Sequence, residues 1–198
     1  MSRRGFLFLL GCGVVLIGLT AAGLYERRAD EIGAFVALAL GQGAVYLAAL
    51  GVIWRAPASR RDLALIGAVA VAMRVIVLAA PPFLSSDVYR YVWDGRVLAA
   101  GINPYRYIPA DPHLAPLRDE TIFPRINRST YAPTIYPPAA EAIFFAATRI
   151  SASVTAMRMA MVAFEAIAAL LLLRLLAAAG LPAARIIVYA WHPLPLWE

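Results

Sequence analysis

Apolar residues run without a single charge from Gly5 to Leu24, and again from Ile32 to Trp54. Each run can cross a hydrocarbon core of roughly 30 Å as a helix rising about 1.5 Å per residue. A third apolar helix is predicted from about Leu63 to Ala80, ending at Pro81-Pro82. After Pro137-Pro138 the chain turns apolar again. Ala139 to Ile150, extending to about Val154, predicts a short crossing. Met157 to Ala179 predicts a stronger one, broken by Gly180-Leu181-Pro182. Ile186 to Trp197 begins another apolar segment before the chain stops. The pattern predicts an all-α, polytopic transmembrane helical bundle with five spans and a partial sixth, in a single membrane domain over 1–198. No internal repeat is visible, and the ending inside an apolar segment reads as truncation of a longer protein.

Between the third and fourth apolar runs lies a segment of different character, about 84–136. It holds six of the nine tyrosines (Tyr89, Tyr91, Tyr105, Tyr107, Tyr131 and Tyr136) together with Asp87, Asp94, Asp111, Asp119 and Glu120. A structureless loop of this length is unusual and is generally functional, so short helices at the membrane interface are predicted. "SSDVYRYVWDGRVLAAG" carries a helix signature: Ser85 or Ser86 caps the start, Asp87 suits the positive end of the dipole, and Gly101 ends it. "INPYRYIPADPHLAP" is punctuated by proline and predicts extended or turning chain.

Composition strengthens the membrane assignment. The chain is 62% hydrophobic and 15% charged, against about 25% charged in a soluble domain. Its net charge of +6 comes from arginine alone. The arginines are spread along the chain rather than clustered on one element, which fits an anionic bilayer surface and argues against nucleic acid. Arg3 and Arg4 precede the first helix, and Arg55, Arg60 and Arg61 separate the second from the third. The first link carries Arg27 and Arg28, but acidic neighbours count little in the positive-inside rule. The balance places the N-terminus in the cytoplasm and segment 84–136 outside. "SRRGFLF" resembles an export signal, yet the apolar run before Cys12 is very short for one, so an uncleaved first helix is expected. The single Cys12 excludes an internal disulfide and a cysteine-based zinc site.

On a helix, Asp87, Arg90, Tyr91 and Asp94 fall on one face. That face offers two carboxylates, a guanidinium and a phenol. Asp87 or Asp94 can take a proton from a hydroxyl nucleophile, and the planar fork of Arg90 matches a phosphate. The competing reading is a salt-bridged interfacial helix with an aromatic belt. Arg96, Arg106, Arg118, Arg125 and Arg128 are further cations, each suited to an anionic lipid-linked substrate or to anchoring at the interface. Arg74, Glu141, Glu165 and Arg174 lie inside apolar segments, where ionisable groups are functional candidates. His113, between prolines, reads as a surface residue, and His192 has no partner at metal-ligand spacing, so a metal site built on histidine is rejected; nothing visible requires a metal, paired acids do not exclude one, and no cofactor is expected.

"SSDVYRYVWDGRVLAAGINPYRY", "YAPTIYPPAAE" and "YAWHPLPLWE", in that order, resemble bacterial membrane glycosyltransferases of the GT-C fold that use polyprenyl-phosphate sugars, including mannosyltransferase-like members. The resemblance covers roughly Leu63 to Glu198 and implies the N-terminal portion of such an enzyme. It implies a multi-pass protein of the bacterial plasma membrane, with an extracytoplasmic site and inverting transfer of a hexose to a glycan or lipid acceptor. The family's acidic base in the first large external loop matches Asp87. Many relatives carry two adjacent acids there, whereas Ser86 precedes Asp87 here, and His192 stands where relatives often have asparagine. Arg90, Tyr91, Asp94, Arg106 and Tyr136 are the candidate substrate-binding residues, with Arg90 or Arg106 set against the departing phosphate. Alternatives are a non-catalytic subunit, a transporter-like protein, for which repeated halves with broken helices would be expected, and an inactive truncated transferase.

Overall fold

A computed structural model describes residues 1–28, 32–55, 59–82 and 84–197. Parts of the two predicted interhelical links, 29–31 and 56–58, and Glu198 of the third motif lie outside them. Among the described residues there is no strand. Helices α1 (Arg3–Arg28), α2 (Ile32–Arg55), α3 (Arg60–Ala79) and α6 (Val154–Ala178) are long and apolar enough to cross a membrane. Their exposed side chains include Leu40, Leu47, Val71, Leu170 and Leu175. So much outward apolar surface suits hydrocarbon rather than water. The chain is an all-α, polytopic helical membrane protein.

Two compact units divide it, 1–81 with 164–198 and 82–163. In the first, α1 packs against α2 and α3 around Leu9, Leu16, Ile66 and Met73. The start of α3 is fixed by a capping box, with the Ser59 and Asp62 side chains exchanging hydrogen bonds with each other's backbone N–H. Polar bonds then tie helix to helix, as packing in lipid favours. Gln42 on α2 donates to Thr20 on α1 at 3.0 Å, and Thr20 donates to the Leu16 carbonyl at 2.8 Å.

The apolar segment from Ile186 is divided into short pieces among the described residues. It forms a 3₁₀ turn (Ala183–Ile186), then α7 (Ile187–Ala190) and α8 (Pro193–Trp197), and folds back into the first unit. Two indoles hold it there: Trp191 donates to the Ile66 carbonyl at 2.9 Å, and Trp197 to Gln42 Oε1 at 2.7 Å. Arg74 of α3 joins the same region, donating to the Ala190 carbonyl at 2.9 Å and ion-pairing with Glu165 of α6. Arg74 and Glu165, each inside an apolar run, therefore satisfy each other.

In the second unit α4 (Asp87–Ala99) packs on α5 (Pro138–Ile150). The expected crossing at Ala139–Ile150 is a correction. Thirteen residues end at Ser151, giving about 20 Å of helix, which is too short for a hydrocarbon core. Gly95 permits the close approach of α4 to α5, since a Cβ there would lie 2.5 Å from the Phe144 carbonyl oxygen and 2.6 Å from the Thr148 side chain. The chain from 100 to 137 wraps this pair with 3₁₀ turns at Pro112–Leu117 and Phe123–Arg125. It buries Leu114, Ile122 and Ile126 against Trp93 and Val97.

Candidate active site

The site grows from the start of α4. Ser86 occupies the N-cap position but makes no side-chain cap bond; the Asp87 N–H donates instead to Ser85 Oγ at 3.0 Å. Asp87 is thereby held in the first helical turn, where the dipole favours a carboxylate. At the other end Gly101, at φ 75°, closes the helix. The Gly101 N–H donates to Leu98 and the Ile102 N–H to Val97, the pairing of a Schellman end.

Asp87 is half-buried, and its carboxylate accepts a hydrogen bond from the Asn127 side-chain amide, forty residues along the chain. The Tyr136 phenol lies near Asp87 and Asp94 and hydrogen-bonds Tyr91. Burial, the neighbouring Tyr91 phenol and the Asp87 charge push the Tyr136 hydroxyl above the ordinary phenol range. It is therefore a neutral donor at any physiological pH. Tyr91 stacks on Phe144 with ring centres 4.5 Å apart, and the Tyr136 ring meets Tyr91 edge-on at 5.0 Å.

Arg90 and Asp94 occupy the interior. They are 4% and 1% exposed, and Arg90 Nε donates to both Asp94 oxygens at 2.9 and 3.0 Å. Arg90 Nη1 donates to the Ala132 carbonyl at 3.1 Å. The pair is neither a solvated surface bridge nor a guanidinium open to a phosphate. Beneath it sits Glu141 of α5, 3% exposed, accepting from Thr134 Oγ1 at 2.7 Å. Asp94 and Glu141 are thus two buried acids set against the single guanidinium of Arg90. Burial raises both acids. For Glu141 the Thr134 hydrogen bond offsets part of this, the Asp94 charge adds to it, and the carboxyl is pushed up to about 7.

Arg106 stands apart, exposed, with its guanidinium over the Tyr107 ring at 5.3 Å. The wrapping chain has its own clasp. Arg96 donates to Asp119 at 2.5 Å and to the Ala152 carbonyl at 3.0 Å. Asp119 also accepts from the N–H groups of Thr121, Ile122 and Phe123. Burial raises the Asp119 carboxyl, but these hydrogen bonds and the Arg96 charge outweigh it and hold it below the usual carboxylate range. An open groove of about 590 Å³ runs between Leu98, Ile102, Tyr105, Pro138 and Phe145, with Glu141 in its lining. Among the described residues, no three His, Cys, Asp or Glu side chains gather as a metal site would require.

The structure thus joins Asp87, Arg90, Tyr91, Asp94 and Tyr136 in one unit and leaves Arg106 on its exterior. Asn127 and Thr134 were missed, because nothing in a lone amide or threonine on irregular chain signals a partner. Glu141 had a signal: an acid at the start of an apolar run.

Apolar spanning helices and a compact unit that gathers acids, phenols and arginines define a polytopic helical membrane protein with a clustered polar site. The family model described as alpha-(1->6)-mannopyranosyltransferase, N-terminal domain (the MptA_B family) matches residues 15–197, and the chain belongs to that family. A glycosyltransferase role follows from that membership. No curated protein and no solved structure matches the chain.

Proposed function

We propose that this chain transfers a hexose, with mannose the sugar indicated by its family, from a polyprenyl-phosphate donor to a glycan or lipid acceptor outside the bacterial plasma membrane, with Asp87 as general base. The observation that carries this reading is the environment of Asp87: a half-buried carboxylate at a helix start, oriented by Asn127 and flanked by the neutral phenol of Tyr136. A lipid-linked donor keeps its tail in the bilayer and its phosphate at the interface, which is where a base between membrane spans is needed. Asp87 removes the acceptor hydroxyl proton as the oxygen attacks the anomeric carbon. The bond to the polyprenyl phosphate breaks on the opposite face, so the configuration inverts. Exposed Arg106 stabilises the departing phosphate, and Tyr91 and Tyr136 offer a ring and a donor to the sugar hydroxyls. Arg90 and Asp94, paired with each other, serve as the scaffold under these groups. The arginine distribution supports an extracytoplasmic site.

The test is transfer in membranes with a panel of polyprenyl-phosphate sugars. Asp87→Asn is expected to insert normally and to lose transfer by about 10²–10⁴-fold, the usual contribution of a positioned base. Full transfer by that variant, or labelling that places residue 87 on the cytoplasmic face, overturns the assignment.

A further inference from the structure

Residues 132–136 form a strap with no regular secondary structure; its backbone is tied at Ala132, whose N–H donates to the Arg128 carbonyl at 3.1 Å, and at Tyr136, whose N–H donates to the Thr134 hydroxyl at 3.4 Å. Three side chains from outside the strap hold it as well. Arg90 Nη1 holds the Ala132 carbonyl at 3.1 Å, Glu141 Oε1 holds the Thr134 hydroxyl at 2.7 Å, and the Tyr105 hydroxyl holds the Tyr136 carbonyl at 2.6 Å. The first two anchors belong to the buried Arg90–Asp94–Glu141 cluster, and the strap ends in Tyr136, beside Asp87.

We propose that Glu141, protonated beside Asp94, is a positioning residue that fastens the strap through Thr134 and so sets Tyr136 beside the base. The transfer step it serves is the function proposed above; the strap itself is defined by geometry alone. With one proton shared by the two acids, the charges of Arg90 and Asp94 cancel and the buried cluster is neutral. Glu141 Oε2 is buried without a hydrogen-bond partner and can carry that proton, and Arg90 Nη2 in the same cluster is likewise buried and unpaired. Loss of the proton leaves two carboxylates against one guanidinium in a site almost closed to water, an arrangement that like-charge repulsion and burial both oppose. The titratable groups facing Glu141 are Asp94 and Arg90 from α4 and Tyr105 from the wrapping chain, and Tyr136 faces Asp94. Arg90 is the only cation among them and is already engaged by Asp94. The Glu141 carboxyl, raised to about 7, places this loss close to neutral pH.

Hydrogen exchange of the full chain in lipid nanodiscs reads the strap directly, with α4 amides in the same sample as reference. In the wild type, protection of 132–136 relative to α4 is expected to fall about tenfold between roughly pH 6 and pH 8, a unit either side of the midpoint. Glu141→Gln mimics the protonated acid and still accepts from Thr134. Its strap should stay protected across the range. Thr134→Val leaves the acid pair intact and cuts the link; because it also removes the acceptor of the Tyr136 N–H, the strap is read at the Ala132 amide, which should be unprotected throughout. A flat wild-type profile, or Glu141→Gln matching Thr134→Val, overturns the inference. Transfer separates the two proposals. Glu141→Gln should lose the alkaline decline of the wild type, whereas Thr134→Val should lower kcat across the whole range. If no form transfers any polyprenyl-phosphate sugar while exchange behaves as stated, the functional reading fails and the strap stands.

Discussion

Asp87 and Asp94 lie seven residues apart on one helix, yet the fold gives them different work. Asp94 is sealed in with Arg90, and Asp87 stays half-open with one amide to hold it. A buried pair broken at one end leaves an uncompensated charge, costing about 3–5 kcal/mol. Arg90→Met is therefore expected to destabilise the second unit by that order in denaturant melts, whereas Arg106→Met should leave stability unchanged. Tyr136→Phe keeps the ring contacts with Tyr91 and Phe144 and loses the donor. A hydrogen bond between neutral groups is worth about 0.5–1.5 kcal/mol, so turnover should fall roughly 2- to 10-fold with stability retained. Glu141 gives stability a pH dependence of known sign. Its carboxyl is raised from the ordinary 4.5 to about 7, so the folded chain holds a proton that the unfolded chain releases. Stability should decline as pH rises from 4.5 to about 7 and level off beyond. Glu141→Gln should abolish that decline in thermal melts.

At the scale of elements, α4 and α5 are short helices that depend on each other and on the chain wrapped about them. Gly95 is the contact point. Gly95→Ala places a methyl group against the Phe144 carbonyl, and overpacking of this kind costs about 1–3 kcal/mol. Loss of thermal stability without loss of helix content in α1–α3 is the expected result. The Asp119 clasp is testable by protease. Asp119→Ala frees Arg96 and three backbone N–H groups, so cleavage between Arg118 and Arg125 should appear while α4 remains intact. Helix starts and stops were largely legible in sequence: Gly101, Gly180 and the prolines at 81–82 and 137–138 all sit at boundaries. The length of α5 was not. Its apolar run continues in hydropathy past Ile150, but Ser151 takes extended backbone and stops the helix.

At the scale of the whole molecule, spanning helices and a polar unit make different physical demands. Single charges inside an apolar span are tolerated only when paired, and Arg74 with Glu165 meets that condition. Removing one partner, as in Arg74→Met, should destabilise the protein in detergent melts by about 3–5 kcal/mol, whereas replacing both by Met should restore most of the loss. The sequence by itself determined the class of the protein. Uncharged runs as long as a bilayer is thick have only one stable use, the helix that satisfies its own backbone in lipid. It also identified the segment that carries the polar chemistry, because acids, tyrosines and arginines are crowded between such runs. Tertiary structure alone decided which of those polar groups are open and which are sealed. Asn127 reaches Asp87 across forty residues, and Thr134 and Glu141 close on Asp94 from two different elements. Helical spacing reports which side chains share a face, but burial and pairing depend on what another part of the chain lays over that face.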